Sequence, residues 1–492
     1  MRIVFVASEG VPFSKTGGLA DVVGALPKAL AQLGHKLEVV LPRYRMTKPG
    51  KPEAKLQSLT LPLGAGFKFA SIQNAGMAGN VPTCLVECPS LFDRAGLYQE
   101  EGEDYPDNAQ RFAAFSFAAL ELIKRSETPP DIIHCHDWQS ALVPIYLRYL
   151  YQHDDFFRKT SVVFTIHNVG YQGLFPPTVL PQISLRADLF TMDFLEYYGK
   201  VNLLKGGIVF SDFITTVSRK YAEEIQTAEF GCGLEGVFRS RRDRLRGILN
   251  GVDYDLWNPA TDELIPVRYS AENLTGKVAC KKALLERMGV KQPVLERPLI
   301  GIVSRFAPQK GFDLIEEIAE QLAALDVYIV ALGTGDPVYE DLFRHMASTY
   351  PDKFLVAVAY DNTLAHQIEA GSDMFLMPSR YEPCGLNQIY SLKYGTVPIV
   401  RATGGLDDTI QATDGQSGTG FKFRGYTGEA LLQVIEEAIA AYHRPEIWRR
   451  LVYNGMRKDF SWGRSAEQYL EIYRALQRQT DAPESEAETP NG

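Results

Sequence analysis

The chain has 492 residues, room for two large domains or three small ones, and its 45% hydrophobic and 23% charged residues are those of an ordinary globular protein. Acidic residues outnumber basic ones 60 to 51, for a net charge of −9, and the stretch 481–492 holds four acids (Asp481, Glu484, Glu486, Glu488) and no Lys or Arg. So acidic a chain is expected to bind neither nucleic acid nor an anionic membrane surface, and any phosphate it meets must be met by a few placed cations.

Met1-Arg2 runs straight into Ile3–Ala7, which reads as a buried strand with no signal peptide before it. No run of 18 apolar residues follows anywhere, and the six cysteines are scattered with no C-x-x-C pair, so the expectation is a cytoplasmic protein without disulfide framework or zinc site. After the strand, Lys15-Thr16-Gly17-Gly18 leads into a helix whose stripe is Leu19, Val22, Val23, Leu26, Ala29, Leu30 and Leu33, stopped by Gly34. A strand, a glycine pair and a helix N-terminus form an anion site: without Cβ atoms the amides at Gly17–Leu19 can approach a phosphate, and Lys15 adds a charge. The loop is neither a G-x-G-x-x-G fingerprint nor a Walker A loop.

Further strands are expected at Leu37–Leu41, Ile132–Cys135, Val162–Ile166, Phe213–Val217 and Leu245–Leu249, with a hairpin within 50–100. His134-Cys135-His136-Asp137-Trp138 closes the Ile132 strand, where Asp137 offers a hydroxyl acceptor and Trp138 a face for sugar stacking. His134 and His136 share a strand face without a second ligand pair, so no metal is expected. His167-Asn168 ends the Val162 strand. Asp253-Tyr254-Asp255 matches the D-x-D string of metal-dependent sugar transferases, but beside a linker it carries little weight.

The strand series restarts at Leu299–Ser304 and continues through Val327–Gly333, Phe354–Val358, Met374–Pro378 and Thr396–Val400. Near-continuous apolar strands alternating with helices mean parallel sheets covered on both faces. Arg305 and Lys310 lie in Ser304–Gly311 after the first of these strands, two cations suited to a diphosphate leaving group. Pro378–Gln388 follows the fourth, where Glu382 can reach sugar hydroxyls and the amides of Gly385, Leu386 and Asn387 open a helix. Thr403-Gly404-Gly405 is a weaker glycine turn. The expected organisation is α/β: a domain over 1–257, a second over 258–460, a helix within 461–480 (Ser465–Gln479, Ser465 and Gln468 forming a capping box) and a disordered acidic tail over 481–492. Ligands of such domains bind at strand carboxyl ends, and a cleft between the two is the expected site.

The strings KTGGLADV at 15–22, HDW at 136–138, TIHN at 165–168, LNGVD at 249–253, SRFAPQKG at 304–311 and EPCGLNQ at 382–388, in this order over about residues 1–478, resemble the bacterial glycogen synthase and plant starch synthase family. The resemblance implies a GT-B architecture, two Rossmann-like domains facing a deep cleft, with the terminal helix crossing back to the first. It implies transfer of glucose from ADP-glucose to the non-reducing end of an α-1,4-glucan, with retention and without metal or other cofactor. By position, Lys15, Gly17 and Gly18 then resemble donor-binding residues, with Asp21 holding their loop. Arg305 and Lys310 resemble the diphosphate grip, Glu382 the acid on the glucosyl hydroxyls, His167 the residue beside the reacting sugar, Asn168 and Asn250 its neighbours. Tyr360 would pack on the nucleotide and Cys384 would fill space.

One position departs from the pattern of related retaining transferases, which carry a second Glu eight residues after the first; here it is Tyr390. With no obvious carboxylate nucleophile, retention is expected to follow a front-side route, after domain closure excludes water. A UDP-sugar transferase of the same architecture and an inactive glucan-binding homologue are the alternatives; the intact Lys15, Arg305, Lys310 and Glu382 set weighs against the second.

Overall fold

The expected apolar runs become strands, and those inside the sheets, flanked by helices, are buried on both faces, while the edge runs Leu245–Gly247 and Phe354–Val358 are only partly buried. The computed structural model describes residues 1–47, 57–78 and 81–481, so the expected disorder of the acidic tail lies outside the described residues. They form two compact units: one of Met1–Val217, Ala222–Gly251 and the terminal helix Trp462–Asp481, the other of Ser218–Tyr221 and Val252–Ser461.

In the first unit the described strands form one sheet in the order Leu245–Gly247, Phe213–Thr216, Ser161–Ile166, Ile132–His136, Arg2–Val6, Lys36–Pro42, Val81–Glu87, Gly66–Ala78 and Gln57–Leu63. It is parallel until Gly66–Ala78, which pairs antiparallel with both its neighbours and makes the expected hairpin with Gln57–Leu63. Strand order reverses between Arg2–Val6 and Ile132–His136, so a crevice opens outside their carboxyl ends. The loop Ala7–Gly17 and the Asp137 turn occupy that place.

The helix Gly18–Gln32 buries Leu19, Val22, Val23, Leu26 and Leu30, and Gly34 ends it with φ +87°. Against it pack Trp462, Ala466, Tyr469, Leu470, Tyr473 and Leu476 of the terminal helix. That helix begins at Trp462, so Ser465 lies inside its first turn, and the expected capping box is not formed. The Ser465 hydroxyl instead donates to the carbonyl of Leu249 at 2.6 Å.

The second unit holds an all-parallel sheet in the order Phe354–Val358, Tyr328–Gly333, Leu299–Val303, Met374–Met377, Val397–Arg401, Phe421–Phe423. Its reversal falls between Leu299–Val303 and Met374–Met377, the strands that lead into the Arg305 and Glu382 loops. The chain enters this unit at Val252, whose amide donates to Phe460 at 2.8 Å, ahead of the Asn258 boundary expected from composition. No helix among the described residues is long and apolar enough to cross a membrane.

Candidate active site

At the reversal of the second sheet two loops brace one another. The Arg380 amide donates to Gln309 O (2.8 Å), the Gln309 side chain to Tyr381 O (3.1 Å), and the Asn387 side chain to Val303 O (2.6 Å). Gly311, at φ +74°, lets its backbone lie where a Cβ would stand 2.0 Å from Pro378 O. Thr403-Gly404-Gly405 proves to be the surface on which the Glu382 loop rests. The Gly405 amide donates to Glu382 O (3.0 Å), and a Cβ on Gly404 (φ +44°) would meet that oxygen at 2.0 Å.

Within this frame the Lys310 ammonium meets Glu382 Oε2 at 2.6 Å, and Ser379 donates to the same oxygen at 3.1 Å. Glu382 is 6% exposed, so the pair is held in a poorly hydrated place where charges act strongly. Arg305 is exposed on the loop it shares with Lys310, and Tyr360, 85% exposed, stands past the end of Phe354–Val358. Cys384 is buried, and Gly385, Leu386 and Asn387 lead into the helix Asn387–Lys393. Tyr390 lies flat on Trp257 (3.9 Å between centroids), and Trp257 on His366 (3.8 Å). An aromatic stack thus fills the position eight residues after Glu382.

In the first unit, Lys15 bonds Asp21 across the loop at 2.7 Å, both half-exposed. Gly17 caps the following helix and Gly18 opens it; neither has a positive φ, and a Cβ on either would meet nothing within 4 Å. Neither packing nor backbone conformation demands glycine at either position, so the backbone there lies bare. The amide of Thr16 and, at 3.4 Å, that of Gly17 donate to the Glu9 carboxylate, so of the amides expected to face a phosphate those of Gly18 and Leu19 remain.

Asp137, in left-handed backbone at φ 55°, accepts the His167 amide at 2.7 Å and the Asn168 amide as well. Burial, helped by the charge of Glu9 and opposed by these amides, pushes its carboxyl up to about 7. Burial drives His167 down to about 3 and His134 and His136 well below the usual range, so all three rings are neutral near pH 7. His136 Nδ1 and His167 Nε2 are 3.1 Å apart, while His134 bonds Thr165 and Tyr473. Asn250 is buried, its Oδ1 without a hydrogen-bond partner among the described residues. Trp138 is 8% exposed and packs against Phe112 (5.1 Å), Phe175 (5.8 Å) and the bare Gly173, so it forms wall behind Asp137. Sequence reasoning assigned no role to Glu9 or Ser379; Glu9 lies between the first strand and the glycine loop and Ser379 within Pro378–Gln388, but nothing in the sequence shows what either bonds. No group of three or more His, Cys, Asp or Glu able to hold a metal occurs among the described residues.

Two doubly wound sheets, each with the candidate side chains in loops at its reversal point, together with the matches that follow, define a glycosyltransferase of the GT-B fold. Residues 2–240 match the starch synthase catalytic domain and residues 287–456 the glycosyl transferases group 1 model. The chain is 55% identical to a glycogen synthase of Koribacter versatilis (strain Ellin345), over 98% of this chain and 99% of that one. It is 46% identical to that of Geotalea daltonii, over 97% and 99%. Among solved structures it is similar to the catalytic domain of starch synthase IV from Arabidopsis thaliana, bound to ADP and acarbose (TM-score 0.88, 36% identity, 97% of this chain and 99% of that one). A sucrose-phosphate synthase from Thermosynechococcus elongatus, 18% identical with a TM-score of 0.61 over 97% and 99%, shares the fold. The chain belongs to the glycogen synthase family.

Proposed function

We propose that the chain transfers glucose from ADP-glucose to the 4-hydroxyl at the non-reducing end of an α-1,4-glucan, with retention of configuration, as a 4-α-D-glucosyltransferase of the cytoplasm. The Lys310–Glu382 pair at the second sheet's reversal, with its carboxylate buried, is the observation that carries this reading. A pyrophosphate needs fixed cations, a glucosyl group needs a hydroxyl acceptor, and this pair offers both within 2.6 Å. That the Arabidopsis starch synthase IV domain was solved with ADP and acarbose supports the choice of nucleotide and glucan.

Arg305 and Lys310 neutralise the pyrophosphate, and Tyr360 packs on the base. Glu382, with the amides of Gly385, Leu386 and Asn387, orients the glucosyl hydroxyls, while Cys384 fills space beside them. Lys15, aimed by Asp21, and the bare Gly17-Gly18 backbone serve the donor phosphates. His167, Asn168 and Asn250 attend the reacting sugar; Asp137 holds the first two in place, backed by Trp138.

The bond between the anomeric carbon and the phosphate oxygen breaks, with positive charge developing on the sugar. The acceptor 4-hydroxyl attacks from the same face and passes its proton to the departing phosphate. Glu382 is tied up by Lys310 and Ser379, which favours this front-side course over a covalent glucosyl-enzyme. The phosphate grip does not distinguish bases, so the test is radiolabelled transfer into glycogen from ADP-glucose and UDP-glucose side by side. Preferential incorporation from ADP-glucose is expected; preference for UDP-glucose overturns the donor assignment, and incorporation from neither overturns the reading.

A further inference from the structure

Beneath the glycine loop the structure places an acid, the wrong sign for a site that receives phosphates. Glu9 is 4% exposed, and its carboxylate collects four donors: the Thr16 amide, the Thr16 hydroxyl at 2.8 Å, the Gly17 amide at 3.4 Å and the Tyr98 hydroxyl at 2.8 Å. Only an acceptor-only group with about four lone-pair sites satisfies four donors at once. Tyr98 spends its single proton on Glu9, so the Ser8 hydroxyl, 2.7 Å away, donates to Tyr98, and Tyr44 donates to Ser8 O at 2.9 Å. The network ties the end of the first strand to both the loop and the Tyr98 segment.

We infer that Glu9 is the positioning residue of this loop: by engaging Thr16 from two sides and the Gly17 amide, it fixes the course of 15–18 and leaves the Gly18 and Leu19 amides and the Lys15 ammonium for the donor's phosphates. A side chain without that carboxylate would leave Thr16 and Gly17 free to turn their amides outward, with no preferred arrangement to meet the ligand. Its charge is quenched locally by charge-assisted bonds, so the anion site survives above it. The inference rests on the donor reading for its kinetic consequence, but not for the loop geometry.

The experiment compares wild type, Glu9→Gln and Tyr98→Phe in donor and glucan kinetics and in amide hydrogen exchange. Glu9→Gln keeps the volume but offers one acceptor oxygen and two unwanted donors to the same groups. It is expected to raise the donor KM at least tenfold, leave the glucan KM within twofold, and speed exchange at Thr16 and Gly17 at least tenfold with Ile3–Val6 still protected. Tyr98→Phe, which removes one of the four bonds, is expected to raise the donor KM two- to fivefold, and decides the matter should Glu9→Gln not fold. An unchanged donor KM in the variant that folds, an equal rise in both KM values, or unchanged exchange in a folded Glu9→Gln overturns the inference. Absence of turnover by wild type with faster exchange in Glu9→Gln overturns the donor reading and upholds the loop anchor.

Discussion

Gly18 shows how a single residue separates ligand approach from folding. It opens a helix, with open space where a Cβ would sit. Alanine there gains helix propensity of up to about 1 kcal/mol and crowds the approaching phosphate. Gly18→Ala is therefore expected to melt no lower than wild type yet show a donor KM raised about tenfold; a lower melting temperature with unchanged KM contradicts this assignment. Asp137 gives a pH signature. Its carboxyl, raised from 3.8 to about 7, stays protonated in the fold while the unfolded chain ionises. Raising the pH from about 4 to about 7 therefore removes stability, and above pH 7 the loss is complete. The melting temperature of wild type should fall relative to Asp137→Asn across that window and then run parallel; parallel curves throughout contradict the shift. Lys310, Glu382 and His167 are legible in sequence because each follows an apolar run whose end is easy to find. Glu9 is not, because its meaning lies in Tyr98, 89 residues away, and Trp138 shows its burial only once Gly173 and Phe112 are in place.

Among the elements, Val81–Glu87 and Phe421–Phe423 are not marked in the sequence, but the central strands are readable almost to the residue, since runs buried on both faces have no amphipathic period to confuse them. The helix Asn108–Lys124 escapes for the same reason: Ala109, Arg111, Phe112, Ala113, Phe115 and Phe117 are all buried, so no polar face marks it. Ile315, Ile318, Ala319 and Leu322 have the spacing of a single helical stripe, yet they lie on two helices, Phe312–Glu317 and Ala319–Ala324, interrupted at Ile318. The turn at Gly404 is legible as glycine-rich, but not as the seat of the Glu382 loop. Gly404→Ala places a methyl against Glu382 O in left-handed backbone, at a cost of about 1–3 kcal/mol. It should lower both melting temperature and kcat; wild-type values for both would show that the two loops do not depend on that contact.

For the whole molecule, one rule explains where most of the candidate residues fall in each unit. In each unit the doubly wound order reverses once between neighbouring parallel strands, and the loops leaving those strands carry the charged and glycine-rich strings. The central claim is that the cations at the second unit's reversal stabilise the leaving pyrophosphate. The direct test is radiolabelled glucose incorporation into glycogen from ADP-glucose by the double variant Arg305→Met, Lys310→Met, which keeps an unbranched stem at each position and removes both charges. Removing one such stabilising group costs about 10²–10³ in rate, so the double variant is expected to fall at least 10³-fold while still unfolding cooperatively, at a lower temperature because Glu382 loses its partner. Incorporation within a few-fold of wild type would contradict the account.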